Sequence, residues 1–207
     1  IPSRFPPIGA FDTVATPVDL AAVMELEGWT NDRLVLHRLR RLPEAEWVFG
    51  RANASVIMAA YLHASPVGGR FNGPELGAWY ASAALKTAVA EVGHHLRREA
   101  LDTRRGEASR DFRCYGCRID GRHVDLRQAS DALTAILDPG SWRDSQPFGE
   151  RLRAEGRDGI LFPSLRHRGG ENVAVFRPSL VGAVTQREHL RITVRAGERR
   201  ISVQSLS

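Results

Sequence analysis

The clearest amphipathic pattern in the chain runs over residues 82–99 and predicts an α-helix. Its apolar positions recur at helical spacing at Ala84, Leu85, Ala88, Val89 and Val92. Ser82 precedes this stripe and is predicted to be the N-cap, because a serine hydroxyl accepts a hydrogen bond from the free amides of a first turn. Glu91 lies two or three positions from the stripe. We expect its carboxylate at the helix edge, pointing into a cleft, although a lone helical glutamate is more often a surface charge.

Shorter patterns along the rest of the chain predict a mixture of helices and strands without internal repeats. Helices are predicted over residues 24–30, 52–63, 130–137 and 148–154, the last of them ended by Gly156. Strands are predicted over residues 33–39, 78–81, 112–118, 122–126, 159–162, 173–177, 190–195 and 200–203. The Asp120-Gly121 pair predicts a tight turn between two of these strands. Residues 196–198 predict a terminal hairpin.

Length and composition fit one catalytic domain of ordinary size with appended segments. The chain has 207 residues, of which 43% are hydrophobic, enough to bury a substantial core. No apolar run approaches eighteen residues and no signal peptide is visible, so we expect a cytoplasmic protein. The two cysteines, Cys114 and Cys117, lie three positions apart on a predicted strand. Without a second ligand pair they are interpreted as reduced structural thiols instead of zinc ligands.

A formal net charge of +5 raises the alternative of a nucleic-acid-binding module. Arginine supplies nearly all of the positive charge, and it is spread along the chain and alternates with acidic residues. A nucleic-acid-binding domain more often gathers its basic residues on one element with interleaved stacking aromatics. This distribution favours a solvated exterior. A phosphate-rich small ligand or an acidic partner protein would also suit the excess charge.

The glycine-rich segment 68–73 is the strongest candidate for chemistry. Glycine permits positive φ and close approach of a ligand to the backbone, and Arg70 brings a planar fork of donors suited to phosphate oxygens. Trp79 and Tyr80 follow, and the helix with Glu91 comes after them. A cation, an aromatic ring and an acid are the parts needed to hold and cleave a phosphorylated glycoside. A solvated turn arginine is the alternative.

Four ordered segments resemble the RES domain family, named for an Arg, a Glu and a Ser. They are Leu36-His37-Arg38-Leu39, Gly68 to Asn72 with Trp79-Tyr80, Thr87 to Glu91, and Asp158 to Arg166 followed by Asn172 to Pro178. The resemblance covers residues 33–178. It implies three parts: an N-terminal extension over 1–32, a catalytic domain over 33–178 and a C-terminal extension over 179–207. It also implies an α+β fold similar to that of ADP-ribosyltransferase toxins, with two antiparallel sheets forming an NAD cleft surrounded by helices.

The same resemblance implies roles for individual residues. Arg38 and Arg70 would clamp the pyrophosphate of NAD⁺, and Tyr80 would stack on nicotinamide or ribose. Glu91 would stabilise an oxocarbenium-like ribose as nicotinamide leaves. Ser164 would bind near the nicotinamide end or orient Glu91. No metal and no cofactor beyond the substrate NAD⁺ is implied, since the leaving ring already carries a positive charge.

Three functions remain open on this basis. The first is a toxin that degrades NAD⁺ by hydrolysis or phosphorolysis, with inorganic phosphate as a co-substrate in the second case. The second is a protein ADP-ribosyltransferase, which Val89 mildly disfavours because arginine-modifying transferases carry a second acid two positions before the glutamate. The third is a non-enzymatic basic module. For a toxin, the resemblance implies a cognate helix-turn-helix antitoxin of Xre type in a hetero-oligomer, without direct binding to nucleic acid or membrane.

Overall fold

The fold is seen in a computed structural model that describes residues 9, 11–16, 18–19, 37–128, 133 and 135–206. The helices are α1 (Ala54–Leu62), α2 (Leu85–Asp102) and α3 (Ser145–Ala154). The strands are β1 (Trp79–Ser82), β2 (Glu107–Ile119), β3 (Val124–Asp125), β4 (Gly159–Pro163), β5 (Glu171–Val175), β6 (Val181–Arg195) and β7 (Ile201–Ser205). Short 3₁₀ turns occupy Glu44–Glu46 and Pro178–Leu180. No helix in the described part of the chain is long and apolar enough to cross a membrane.

The strands form two sheets, which confirms the predicted α+β class. One sheet has the order β1-β5-β4-β3 and the other the order β2-β6-β7. The second sheet is antiparallel throughout, but β3 and β4 pair in parallel. The expectation of two purely antiparallel sheets is therefore wrong at this edge. A parallel pair needs a long crossover connection, and the segment between β3 and β4, which contains α3, supplies it.

The predicted turn at Asp120-Gly121 does not make a hairpin. The strand before it, β2, pairs with β6, whereas the strand after it, β3, pairs with β4 in the other sheet. Gly121 has a φ of 104°, and the amide of Arg122 donates to a carboxylate oxygen of Asp158 at 2.7 Å. The turn therefore carries the chain from one sheet to the other.

Three apolar clusters stabilise these layers. The largest packs α1 against β1, β5 and the start of β6, around Tyr61, Trp79 and Val181. A second lies between α3 and the β4–β5 pair and includes Phe71, Phe162 and Phe176. The third joins α2 to β2, β6 and β7. Since β2 and β6 contribute to the first and third clusters, these two long strands hold the sheets in one framework.

The helix predicted over 82–99 is present but begins later and buries a different face. Ser82 is the last residue of β1, and the N-cap of α2 is Ala84, without a side-chain hydrogen bond. The N-cap prediction is wrong because the serine hydroxyl has a cross-strand partner instead. Ala84 and Leu85 are exposed, and the buried positions of α2 are Thr87, Gly93, Leu96 and Ala100. Val89 and Val92 do pack against the third cluster.

Most other predicted elements are confirmed, although β2 begins at Glu107 and β6 at Val181, well before their predicted starts at 112 and 190. They are α1, α3 and its stop at Gly156, strands β1 to β5, and the terminal hairpin of β6 and β7. The strand predicted over 33–39 is wrong where the structure describes it, since residues 37–39 are helical. The helix predicted over 24–30 lies outside the described residues. The helix over 130–137 lies partly outside them, and residues 135–137 form turns.

The structure describes only part of the predicted N-terminal extension, residues 1–32, but nearly all of the predicted C-terminal extension, residues 179–207. Residues 11–16 are described, and Phe11 and Val14 are buried in the first cluster. The segment from residue 179 contributes β6 and β7, which complete the second sheet with β2. The proposed boundaries at 32 and 178 stay predictions.

Candidate active site

A single large cavity contains the candidate residues Arg70, Tyr80 and Glu91 in its lining. Its volume is about 1220 Å³, above the usual range of roughly 300–1,000 Å³ for small-ligand sites. The glycine-rich turn forms one wall and α2 forms another, while residues 139–142 and Arg166 contribute to its rim. The cavity is thus large enough for an extended ligand such as a dinucleotide.

The glycine-rich turn is a closed loop held by its own backbone. The amide of Gly69 donates to the carbonyl of Asn72 at 2.8 Å, and Gly68 has a φ of 72°. A Cβ at Gly68 would overlap the Asn72 carbonyl. Asn72 itself is 2% exposed, and its side-chain amide donates to the carbonyls of Gly73 and Leu76. Gly68 is therefore required by the shape of the turn.

Helix α3 packs against this turn and hydrogen-bonds to it. The side-chain amide of Gln146 donates to the carbonyls of Val67 and Gly69 at 2.8 and 2.9 Å. Glu150 accepts from the amide of Gly73 at 2.9 Å. Gly149 faces the turn so closely that a Cβ there would overlap the Phe71 carbonyl. The turn is consequently fixed at both ends and in its middle.

The hydroxyl of Tyr80 is hydrogen-bonded to the glycine-rich turn, and its ring is exposed. The hydroxyl accepts from the amide of Phe71 and donates to Oδ1 of Asn72, both at 2.9 Å. Burial of this oxygen raises the pKa of Tyr80 well above its ordinary value. The residue as a whole is nevertheless 42% exposed. Because the buried part is the hydroxyl, the exposed part is ring, which is available to stack on a ligand.

Two arginines bring positive charge to the cavity next to one loop. Arg70 donates to the carbonyl of Asp138 at 2.8 Å, and Arg166 donates to the carbonyl of Pro139 at 2.5 Å. Burial, followed by repulsion from Arg166, lowers the pKa of Arg70, and burial also lowers that of Arg166. Each guanidinium has five N–H donors, so each retains donors for an anionic ligand.

Glu91 projects from the middle of α2 into the cavity and is half-buried. Its Oε1 accepts from the hydroxyl of Ser164 at 2.7 Å and from the side-chain amide of Asn172 at 2.9 Å. Ser164 does not line the cavity. Its hydroxyl oxygen accepts from the amides of Arg166 and His167 at 3.2 and 3.0 Å. Of the two roles expected for Ser164, this geometry matches the orientation of Glu91.

Arg38 is a predicted site residue that neither lines the cavity nor bonds to a predicted site residue in the described part of the chain. Its guanidinium donates to the carbonyls of Leu62 at 2.8 Å and Pro74 at 3.0 Å. These contacts tie the end of α1 to the segment after the glycine-rich turn. Arg38 is absent from the cavity lining.

The cavity also contains residues of α2 that sequence reasoning missed: His94, His95 and Arg98. They lie three, four and seven positions after Glu91, on the same helix face. This polar spacing was the available signal. Burial, followed by the positive charge of Arg166, lowers the pKa of His94 to about 4, so its imidazole is neutral at physiological pH. The ring of His95 meets that of Trp142 edge-on at 6.2 Å.

Two comparisons with known proteins place this chain beside relatives. The sequence model of the RES domain matches residues 36–195. An uncharacterized protein of Sinorhizobium fredii, y4oC, is 27% identical over 201 residues, which span 92% of this chain and 79% of the relative. The match to the family model therefore includes the glycine-rich turn, Glu91, Ser164 and every strand except β7.

Proposed function

The chain belongs to the RES domain family, and we propose that it degrades NAD⁺ by cleaving the bond between nicotinamide and ribose. The observation that carries this proposal is the meeting of three groups in one cavity. Arg70, the exposed ring of Tyr80 and the carboxylate of Glu91 all line it. Phosphate, aromatic base and a sugar with developing positive charge are the three features of NAD⁺ that such groups recognise.

In the proposed reaction Glu91 supplies the electrostatic stabilisation. As the glycosidic bond breaks, its electron pair leaves with nicotinamide, which departs neutral, and the positive charge passes to the ribose. An ionised carboxylate beside the ribose stabilises this oxocarbenium-like state more than the ground state. A nucleophile then adds to the anomeric carbon, and when this is water a proton is released.

The other cavity residues serve binding in this proposal. Arg70 and Arg166 bind the pyrophosphate through the donors that the Asp138 and Pro139 carbonyls leave free. The Tyr80 ring stacks on nicotinamide or ribose. Arg38 is left out of this assignment, because its guanidinium is engaged by two backbone carbonyls away from the cavity.

The proposed cellular role is that of a toxin whose partner is a helix-turn-helix antitoxin, as family membership suggests. Many of the surface arginines are paired with acidic side chains within the described residues, among them Arg110, Arg127, Arg191 and Arg195. This pairing lowers the free positive charge available to nucleic acid. It supports a protein or small-molecule partner over the basic-module alternative.

The test is incubation of the purified chain with NAD⁺, with and without inorganic phosphate and with a mixture of cellular proteins. Free nicotinamide together with ADP-ribose identifies hydrolysis, and ADP-ribose 1″-phosphate formed only with phosphate identifies phosphorolysis. ADP-ribose attached to protein identifies the transferase alternative. Unchanged NAD⁺ under all three conditions would contradict the proposed function.

A further inference from the structure

Two consecutive hydrogen bonds connect Glu91 to the edge strand β1. The hydroxyl of Ser82 donates to Oδ1 of Asn172 at 2.6 Å, and Nδ2 of Asn172 donates to Oε1 of Glu91 at 2.9 Å. Ser82 and Asn172 are directly opposite each other in the antiparallel β1–β5 pair. Asn172 is 6% exposed. The hydrogen bond between Ser82 and Asn172 therefore joins two paired strands, which are rigid supports for a functional side chain.

We propose that Asn172, oriented by Ser82, is a positioning residue that fixes the Glu91 carboxylate for reaction. This inference rests on the proposed function and adds two residues to its machinery. Asn172 also lines the cavity wall beside Glu91. Its role is to hold the carboxylate, and Ser82 anchors the Asn172 amide by donating to its Oδ1.

The direction of these hydrogen bonds follows from the chemistry of Ser82, Asn172 and Glu91. An ionised carboxylate only accepts hydrogen bonds, so Asn172 must present its NH₂ group to Glu91. Its Oδ1 then points to Ser82, whose hydroxyl donates to it. A flipped amide would place an oxygen against the carboxylate, which is repulsive. Without Ser82, Oδ1 of Asn172 loses this hydrogen bond and the amide is held less firmly against Glu91.

The geometry at Glu91 leaves one oxygen for the ligand. Asn172 and Ser164 both donate to Oε1. Among the described residues no hydrogen bond engages Oε2, which is thus available in the cavity. Two donors on one oxygen restrict rotation of the carboxylate. A displacement of about 1 Å at a reacting group lowers rates by about 100-fold, so loss of Asn172 is expected to reduce turnover more than substrate binding.

The experiment compares Asn172→Ala, Asn172→Asp and Ser82→Ala with the wild-type chain in NAD⁺ turnover. Ser109→Ala is the matched control, since Ser109 is also a strand serine whose hydroxyl bonds the opposite residue, Thr193, at 2.8 Å. We expect kcat to fall about 10- to 100-fold in Asn172→Ala and about 10-fold in Ser82→Ala, with KM within about 3-fold. Asn172→Asp should be at least as slow as Asn172→Ala, because it replaces a donor by a like charge.

A second readout does not depend on turnover. The side-chain NH₂ signals of Asn172 in a ¹⁵N-correlated NMR spectrum should move in Glu91→Gln and in Ser82→Ala but not in Ser109→Ala. Wild-type kcat in a folded Asn172→Ala protein, or unmoved signals in both Glu91→Gln and Ser82→Ala, would overturn the positioning role. If the signals move but the protein does not consume NAD⁺, the hydrogen bonds between Ser82, Asn172 and Glu91 are supported and the proposed function is contradicted.

Discussion

Replacing Tyr80 with Phe removes one oxygen that joins the aromatic residue to the glycine-rich turn. That oxygen accepts from the Phe71 amide and donates to Oδ1 of Asn72, each at 2.9 Å. Phe71 and Asn72 are 0% and 2% exposed. Their polar groups therefore have little access to water when the hydroxyl is lost. The ring, which is the part proposed to stack on the ligand, remains in Tyr80→Phe.

The expected loss of stability follows from these two unsatisfied groups. A buried donor or acceptor left without a partner costs about 1–3 kcal/mol, so the low end for both gives about 2 kcal/mol. For a chain of this size, 1 kcal/mol corresponds to about 2–4 °C in Tm, and Tm should fall by about 4–8 °C. Because the ring stays, kcat/KM for NAD⁺ should fall less than about 10-fold, and Tyr80→Ala should lose considerably more.

Thermal unfolding followed by circular dichroism measures the first effect, and nicotinamide release measures the second. Tyr115→Phe is the control, because its hydroxyl meets Gln186 at 3.3 Å in an exposed position. Its Tm should change by less than about 2 °C, in line with the small effect of most surface substitutions. Equal Tm values for Tyr80→Phe and the wild-type chain would refute the hydroxyl's role in holding the turn.

Three further predictions concern the packing of the glycine-rich turn, the titration of His94 and the binding of NAD⁺ by Arg70. Gly149→Ala should lower the free energy of unfolding, measured in urea, by about 1–3 kcal/mol, since a Cβ would overlap the Phe71 carbonyl; an unchanged midpoint would contradict the close packing. Because burial lowers the pKa of His94 to about 4, its NMR signals should show a neutral ring from pH 8 to about 5. An unfolded histidine titrates near ~6.5, so the unfolded chain gains the proton first. The stability linked to His94 is then complete above about pH 6.5 and is lost as pH falls toward 4; titration near pH 6.5 would contradict this. Arg70→Lys should weaken NAD⁺ binding about 10-fold by calorimetry, because an ammonium cannot reproduce a forked contact, whereas Arg38→Lys should leave affinity unchanged; the opposite ranking would contradict the assignment.

The elements that the sequence pattern predicts well are those with strong local signals. The glycine-rich turn, the long helix after it and the terminal hairpin are indicated by glycine positions and by apolar spacing, although Ala84 and Leu85 at the start of the predicted apolar stripe are exposed. Glu91 is predicted at the edge of the helix face because its position relative to the stripe follows from helical geometry alone. The structure places it in the cavity.

The features that the sequence pattern does not predict depend on partners distant in the chain. Ser82 looks like an N-cap locally, but its hydroxyl donates to Asn172, 90 positions away. The parallel pairing of β3 with β4 depends on the crossover through α3, which no local pattern encodes. Arg38 matches a family motif, yet only the fold shows that Leu62 and Pro74 engage its guanidinium.

The most direct test of the proposed function is the rate of nicotinamide release by purified wild-type and Glu91→Gln proteins at saturating NAD⁺. The substitution keeps the shape of the side chain and removes the charge that opposes the oxocarbenium-like ribose. We expect turnover by the wild-type chain and a loss of about 100-fold or more in Glu91→Gln, equivalent to about 2.7 kcal/mol. Circular dichroism and Tm should show that the variant is folded. Equal rates for the two folded proteins would contradict the role of Glu91, and no release by the wild-type chain would contradict the cleavage of NAD⁺.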